Sequence, residues 1–178
     1  LSLFSDMKQG LGLAAKAQGG ALDSVGIDTW GVDFALLGPG DALLDNPRNY
    51  RDPRTDGLLE EAFSLVPREE IFAQTGIQFM KFNTLYQLLA MRSSPLLDQA
   101  HTLLLIGDLF NFFFTGAKVC EFSNATTTQF YNASTGDWAR TLLDRVGLPH
   151  HFLPEIIEPA THIGHLTGAI SEELGIRP

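Results

Sequence analysis

Between residues 28 and 33 the chain carries Asp28, Thr29, Trp30, Gly31 and Asp33: two carboxylates, a hydroxyl, a flat ring and a glycine within six positions. Carboxylates accept hydrogen bonds from hydroxyls, and an indole pairs an apolar face with a single N–H donor. Gly31 has no Cβ to hold a ligand away from the backbone. Groups of these kinds, packed this densely, suit a cleft that grips a polyhydroxylated small molecule such as a sugar. The plainer alternative is a tight turn between two strands with a solvated aspartate at each end. The residues alone leave both open.

A second polar cluster runs Tyr50-Arg-Asp-Pro-Arg-Thr-Asp56. Asp52 before Pro53 reads as an N-cap with proline at the first helical position, and predicts a helix to about Ser64. Capping leaves Arg51 and Arg54 unexplained; either could hold an acidic partner, with a surface salt bridge as the alternative, more so for Arg54. Other chemistries are poorly supported. His162 and His165 stand three apart in a strand-like segment, where they would face opposite sides. Neither Cys pairs nor an HExxH spacing argues for zinc. The G-x-S-x-G elbow, the Walker-type loop and the GxGxxG motif are all missing from the sequence. Asp28 and Asp33 could serve a glycosidase, but across a turn their separation is not predictable.

The totals bound the rest. With 178 residues and 44% apolar content, the chain is long enough for one real core. Net charge is -9 and the isoelectric point is near 4.8, which argues against a nucleic-acid partner. Leu103–Ile106 and Leu109–Phe114 are interrupted by Gly107 and Asp108, so no run reaches the roughly 18 residues of a membrane span. A single cysteine, Cys120, fits a reducing, cytoplasmic setting. The triplets at Asn124 and Asn132 match a glycosylation acceptor, but without a signal peptide they read as coincidence. The chain opens at Leu1, inside a helical pattern, and closes at Pro178 without tail character; both ends read as cut from something larger.

The elements that must position the polar cluster follow from periodicity. Leu3, Phe4, Met7, Leu11, Ala14 and Ala15 recur at helical spacing and predict a helix over 2–17, stopped by Gly19-Gly20. Ser24–Ile27 is expected as a short buried strand, and Val32–Leu37 as another. A turn at Gly38–Asp41 then lets Ala42–Asp45 return as a paired strand. Pro67–Glu70 opens a helix ended by Gly76. Asn83 is expected to cap Thr84–Arg92, with Leu85, Leu88 and Leu89 on its core face. Thr102–Ile106 is a candidate central strand. Asp108 should cap a helix over Leu109–Phe114 closed by Gly116, and the Phe112–Phe114 run reads as core or inter-domain contact. Phe122–Gln129 is hydroxyl-rich, either helix or polar loop. Asp137 should cap Trp138–Val146, ended by Gly147 and Pro149. The order is that of one mixed α/β unit.

Several of these strings resemble, collinearly, the rhamnulokinase branch of the FGGY carbohydrate kinases. They are Ile27-Asp-Thr-Trp-Gly-Val-Asp-Phe34, Tyr50-Arg-Asp-x-Arg-Thr55, Thr75-Gly-Ile-Gln-Phe79, Phe82-Asn-Thr-Leu-Tyr-Gln87, the spaced Leu104, Asp108 and Thr115-Gly116, Ser123-Asn-Ala-Thr-Thr-Thr-Gln129 and His162-Ile-Gly164. Phe82–Gln87 and Asn124–Gln129 are far more specific than a lone glycine motif. Gly107, where relatives often have proline, departs from the pattern in a way expected to touch loop rigidity and not the site.

The resemblance implies an actin-like, ribonuclease H-like α/β fold, with residues 1–178 forming part of the N-terminal, sugar-binding domain. The first strands are expected before Leu1, and the ATP-binding domain beyond Pro178. It implies ATP- and Mg2+-dependent phosphorylation of L-rhamnulose at O1 by the whole protein. The partners are then a small ketose and, through the missing domain, ATP. The catalytic base is expected after Pro178, so no catalytic, metal or cofactor residue is assigned here, and the chain alone is expected to be inactive. Gly31 carries over best as a sugar contact. Thr29, Trp30 and Asp33 follow, then Arg51 and Gln78, with Asp52 and Asn83 explained equally by capping. The alternatives are another ketose specificity, fuculose or xylulose, and a non-catalytic sugar-binding domain.

Overall fold

A computed structural model describes residues 2–176; Leu1, Arg177 and Pro178, on which the reading of cut ends partly rested, lie outside the described residues. In chain order the elements are helix α1 (Ser2–Ala17), strand β1 (Phe34–Leu37), helices α2 (Leu58–Leu65), α3 (Arg68–Thr75), α4 (Thr84–Leu89) and α5 (Pro95–Gln99), strand β2 (Thr102–Leu105) and helix α6 (Ile106–Thr115). Then come β3 (Val119–Glu121), α7 (Phe122–Ala125), the strands β4 (Tyr131–Asn132) and β5 (Asp137–Trp138), α8 (Arg140–Arg145), β6 (Glu155–Ile157) and α9 (Gly168–Leu174). The chain divides into two compact units, and the division falls within α6.

Of the described residues, the smaller unit holds 2–28, 110–117 and 162–176. Its first helix runs where the periodicity placed it, and Gly19 and Gly20 end it at φ of 72° and 88°, values glycine adopts without strain. Phe4 packs on Phe113 and Phe114, with ring centroids 5.0 and 4.9 Å apart, so the phenylalanine run serves this small core. Thr167 caps α9 by accepting from the Ile170 amide, and its own amide donates to the Phe114 carbonyl at 2.7 Å. The expected strand at Ser24–Ile27 does not form: the segment is irregular and Val25 is 46% exposed. A strand needs a neighbouring ladder, and among the described residues none pairs with it. Residues 162–165 are likewise irregular. Strand alternation therefore does not apply, and the His162 and His165 rings meet at 5.4 Å instead of facing apart.

The larger unit, residues 29–109 and 118–161, carries the main core. Strands β1 and β2 pair antiparallel in the register Phe34↔Leu105 to Leu37↔Thr102, and every residue of both is buried. Around them pack Ala62, Val66 and Ile71 from α2 and α3 with their connection, Leu85 to Leu89 from α4, and Leu142, Leu143 and Val146 at α8. Two smaller pairings, β3 with β6 parallel and β4 with β5 antiparallel, complete the strands described. The strand expected over Thr102–Ile106 forms but is not central: β1 is its one strand partner among the described residues and Ile106 already opens α6, while the Ala42–Asp45 return shrinks to a single bridge, Leu37↔Leu43.

One helix splits and three capping expectations change. The helix expected over Pro53–Ser64 is two elements, because Gly57 at φ 80° separates a single turn at Pro53–Thr55 from α2. Asp52 does cap that turn, accepting from the Arg54 amide at 2.9 Å. Asn83 sits at the N-cap position of α4 but gives its side chain no capping bond. Asp108 lies inside the first turn of α6 and accepts from the Glu121 amide at 3.2 Å. Asp137 belongs to β5, and α8 starts only at Arg140.

Candidate functional site

An open groove of about 510 Å3 lies within the larger unit, lined by Trp30, Gly31, Val32, Tyr50, Ile77, Gln78, Phe82, Asn83, Thr126 and Thr127. Each stretch that contributes comes from one of the specific strings noted in the sequence. The lining includes apolar side chains, Trp30, Tyr50, Ile77 and Phe82, with the Tyr50 and Phe82 rings edge to face at 5.6 Å. It also includes the amides of Gln78 and Asn83 and the hydroxyls of Thr126 and Thr127. Such a mixed lining can pack against the carbon skeleton of a small molecule and bond its hydroxyls.

The Gly31 turn is built under tension. Val32 holds φ at 68°, a region that a β-branched residue rarely enters. The Asp33 amide donates to the Gly31 carbonyl at 2.9 Å, closing a three-residue turn around Val32. The α4 helix restrains it: the Val32 carbonyl accepts from Thr84 Oγ1 at 2.8 Å and from Gln87 Nε2 at 3.0 Å. Strain of this kind persists only where the surroundings over-determine the conformation. A Cβ on Gly31 would meet Thr127 Oγ1 at 3.1 Å and Cγ2 at 3.3 Å, so glycine lets this turn close against the hydroxyl-rich segment.

That segment, α7 and the single turn Thr126–Thr128, ends at Gln129, whose backbone is left-handed at φ 65°. Its buried amide ties the opposite wall together. Gln129 Oε1 accepts from Asn83 Nδ2 at 2.8 Å, and Nε2 donates to Thr75 Oγ1 at 3.3 Å and the Ile77 carbonyl at 3.2 Å. Asn83 Nδ2 also donates to the Gln78 carbonyl at 3.2 Å.

The residues expected at the site separate into three groups. Gly31, Trp30, Gln78 and Asn83 line the groove. Thr29 and Arg51 do not: Thr29 Oγ1 donates to the Trp30 carbonyl at 3.1 Å, and the exposed Arg51 guanidinium lies over the Tyr50 ring at 5.4 Å. Asp33 is turned away. It is only 2% exposed, and its Oδ2 accepts from Trp30 Nε1 at 2.8 Å. Burial pushes its carboxyl above the usual range, against the opposing pull of the Trp30 and Gln87 side chains and the Arg54 charge. Asp28 is exposed. A Cβ at Gly107 would sit 3.3 Å from Thr29 Oγ1 and 3.6 Å from Asn124 Nδ2.

Sequence reasoning passed over Tyr50, Ile77, Phe82, Thr126 and Thr127 as contacts, although all stand inside the matching strings. It also passed over Gln87 and Gln129 as braces. Collinearity of the strings was the signal. No lining residue is a carboxylate or an imidazole. Among the described residues no three His, Cys, Asp or Glu side chains converge as metal ligands, and no helix is long and apolar enough to cross a membrane.

The model of the N-terminal domain of the FGGY family of carbohydrate kinases matches residues 11–178. The chain belongs to that family. It is 47% identical over 155 residues to a rhamnulokinase of Oceanobacillus iheyensis, covering 86% of this chain and 33% of that one. It is 42% identical over 176 residues to one of Halalkalibacterium halodurans, covering 98% and 38%. The chain thus spans about a third of the curated relatives it matches. Among solved structures, a ligand-bound xylulose kinase from Lactobacillus acidophilus superposes with a TM-score of 0.89 at 22% identity, over 99% of this chain and 36% of that one. A Plasmodium falciparum glycerol kinase with ADP gives 0.77 at 17%, over 98% and 37%. The fold is that of the FGGY N-terminal domain, an actin-like ATPase architecture, as the resemblance implied.

Proposed function

We propose that this FGGY chain supplies the ketose-binding part of a longer, cytoplasmic kinase that transfers the γ-phosphoryl group of ATP to L-rhamnulose, giving L-rhamnulose 1-phosphate. The observation that carries this is the amphipathic groove, built entirely from the strings shared with the rhamnulokinase branch. The apolar side chains of Trp30, Tyr50, Ile77 and Phe82 suit a sugar with a methyl terminus, while Gln78, Asn83, Thr126 and Thr127 offer polar groups to its hydroxyls. Relatives of 47% and 42% identity that bear the name rhamnulokinase support the same sugar.

In this reading Gly31 contacts the sugar most closely, with Trp30 and Gln78 beside it; Asp33 acts from behind the surface, and Thr29 and Arg51 flank the groove without lining it. These residues bind and orient the ketose. Transfer to a sugar hydroxyl needs a base to take its proton. In this reading the base is supplied by a part of the protein beyond this chain. ATP with Mg2+ is, in this reading, held by the rest of the protein.

The test is coupled ADP release by the full-length gene product with L-rhamnulose, L-fuculose and D-xylulose. A strong preference for L-rhamnulose is expected, and residues 1–178 alone should release no ADP. Turnover only with another ketose would reject the specificity. Silence with every sugar, from folded protein with Mg2+ present, would reject the kinase in favour of a sugar-binding domain.

A further inference from the structure

Accepting the groove as the ketose site, we infer that Asp33 is a positioning residue that fixes the Trp30 indole as a wall of the groove, with Gln87 bracing the turn between them. Trp30 is 40% exposed and stands on a turn, where an unrestrained indole would sample several rotamers. Its Nε1 is instead bound to Asp33 Oδ2 at 2.8 Å. An ionised acceptor makes a shorter and stronger bond than a neutral one, which suits a carboxylate for holding a single ring in place. Asp33 does not line the groove and is nearly inaccessible, so it acts on a ligand through Trp30 and not by touching it.

The arrangement continues inward. Gln87 Nε2 donates both to the Val32 carbonyl at 3.0 Å and to the Phe82 carbonyl at 2.9 Å, and its Oε1 accepts from Arg54 Nη2 at 2.8 Å. Arg54 is half-buried and its charge opposes that of Asp33. One amide therefore ties the strained Val32 peptide to Phe82, itself a groove residue, and to the cation nearest Asp33. Preorganising a wall in this way lowers the ordering penalty when a ligand binds and leaves the chemical step alone. The signature is a change in KM without a matching change in kcat.

The experiment uses the full-length protein labelled with 5-fluorotryptophan, the Trp30 resonance being identified by its loss in Trp30→Phe. Without sugar, Asp33→Ala should shift and broaden that resonance, and Asp33→Asn, which keeps a carbonyl acceptor, should restore most of it. With L-rhamnulose, Asp33→Ala and Trp30→Phe should each raise KM about tenfold while kcat stays within about twofold, and Asp33→Asn should recover most of the KM. Trp30→Phe alters only the exposed partner and decides the kinetic question if Asp33→Ala fails to fold. A Trp30 resonance indifferent to Asp33 would overturn the inference, and so would an unchanged KM in folded variants. Absence of ketose turnover by the unmodified protein would instead reject the kinase reading, while the sugar-free resonance would still judge the Trp30–Asp33 arrangement.

Discussion

At the scale of single residues, Gly31 and Asp108 make the sharpest predictions. A Cβ at Gly31 would press on Thr127 and come within 3.4 Å of Asn124 Oδ1, so Gly31→Ala must push the turn off the hydroxyl-rich segment. We expect a ketose KM raised about tenfold in the full-length protein and a loss of about 1–2 kcal/mol in urea unfolding. Asp108 is different in kind. Burial pushes its carboxyl up to about 6, the Glu121 charge adds to the rise, and the Glu121 amide and Cys120 thiol oppose it. Its Oδ2 has no hydrogen-bond partner. A folded pKa above the unfolded value near 3.8 means that the folded state holds the proton more tightly. The favourable contribution is complete below about pH 4 and is lost as pH rises through about 6. Asp108→Asn cannot ionise, so its stability relative to the unmodified chain should improve between those limits by on the order of 2 kcal/mol and then level off. Urea unfolding across the pH range checks this; a constant difference would refute it. Neither burial nor orphaned oxygens could be read from sequence at these positions. Local pattern makes an aspartate before an apolar run look like a cap, and Asp108 shows a backbone amide thirteen residues away claiming it instead.

At the scale of elements, the helices were legible where glycine or periodicity defines them. The first helix, the stop at Gly76 and the apolar face of α4 all stand as expected, because these signals are local. Polar side chains were harder to place, since Asn83 and Asp33 spend their hydrogen bonds on partners in distant or buried segments. Gln129 is the clearest case: its string stood out in the sequence, while its role as the tie between α3, Ile77 and Asn83 needed the fold. Gln129→Ala would leave Asn83 and Thr75 short of partners in a buried setting. A loss of about 3 kcal/mol in urea unfolding is expected, with the m-value unchanged. A loss below about 1 kcal/mol would mean that water replaces the amide without penalty. Gly57, at φ 80°, gives a smaller effect: Gly57→Ala should destabilise by about 1 kcal/mol, since alanine resists that backbone region.

At the scale of the whole molecule, the two units differ in what they bury. The larger unit encloses the full length of β1, β2 and α4, whereas the smaller depends on Ala15, Phe114, Ile170 and a few neighbours. Native-state hydrogen exchange should therefore find its slowest amides in β1, β2 and α4, with α1 and α9 exchanging faster. Slowest exchange in α1 would contradict this. Family membership was legible because the matching strings are collinear, and five of the seven contribute to one groove whose lining is scattered over residues 30–127.

The unpaired stretch at Ser24–Ile27 also bears on how the protein behaves in concentrated solution. Its exposed Val25 is bracketed by Asp23 and Asp28, both exposed. Flanking carboxylates repel a second copy that approaches to add a strand, the role of charged gatekeepers beside aggregation-prone segments. With a net charge of -9 the whole surface reinforces that repulsion. Colloidal stability should therefore fall as acid reduces the net charge of the chain and as salt screens it. Replacing both with alanine should bring turbidity on at a pH closer to neutrality, while leaving the groove untouched.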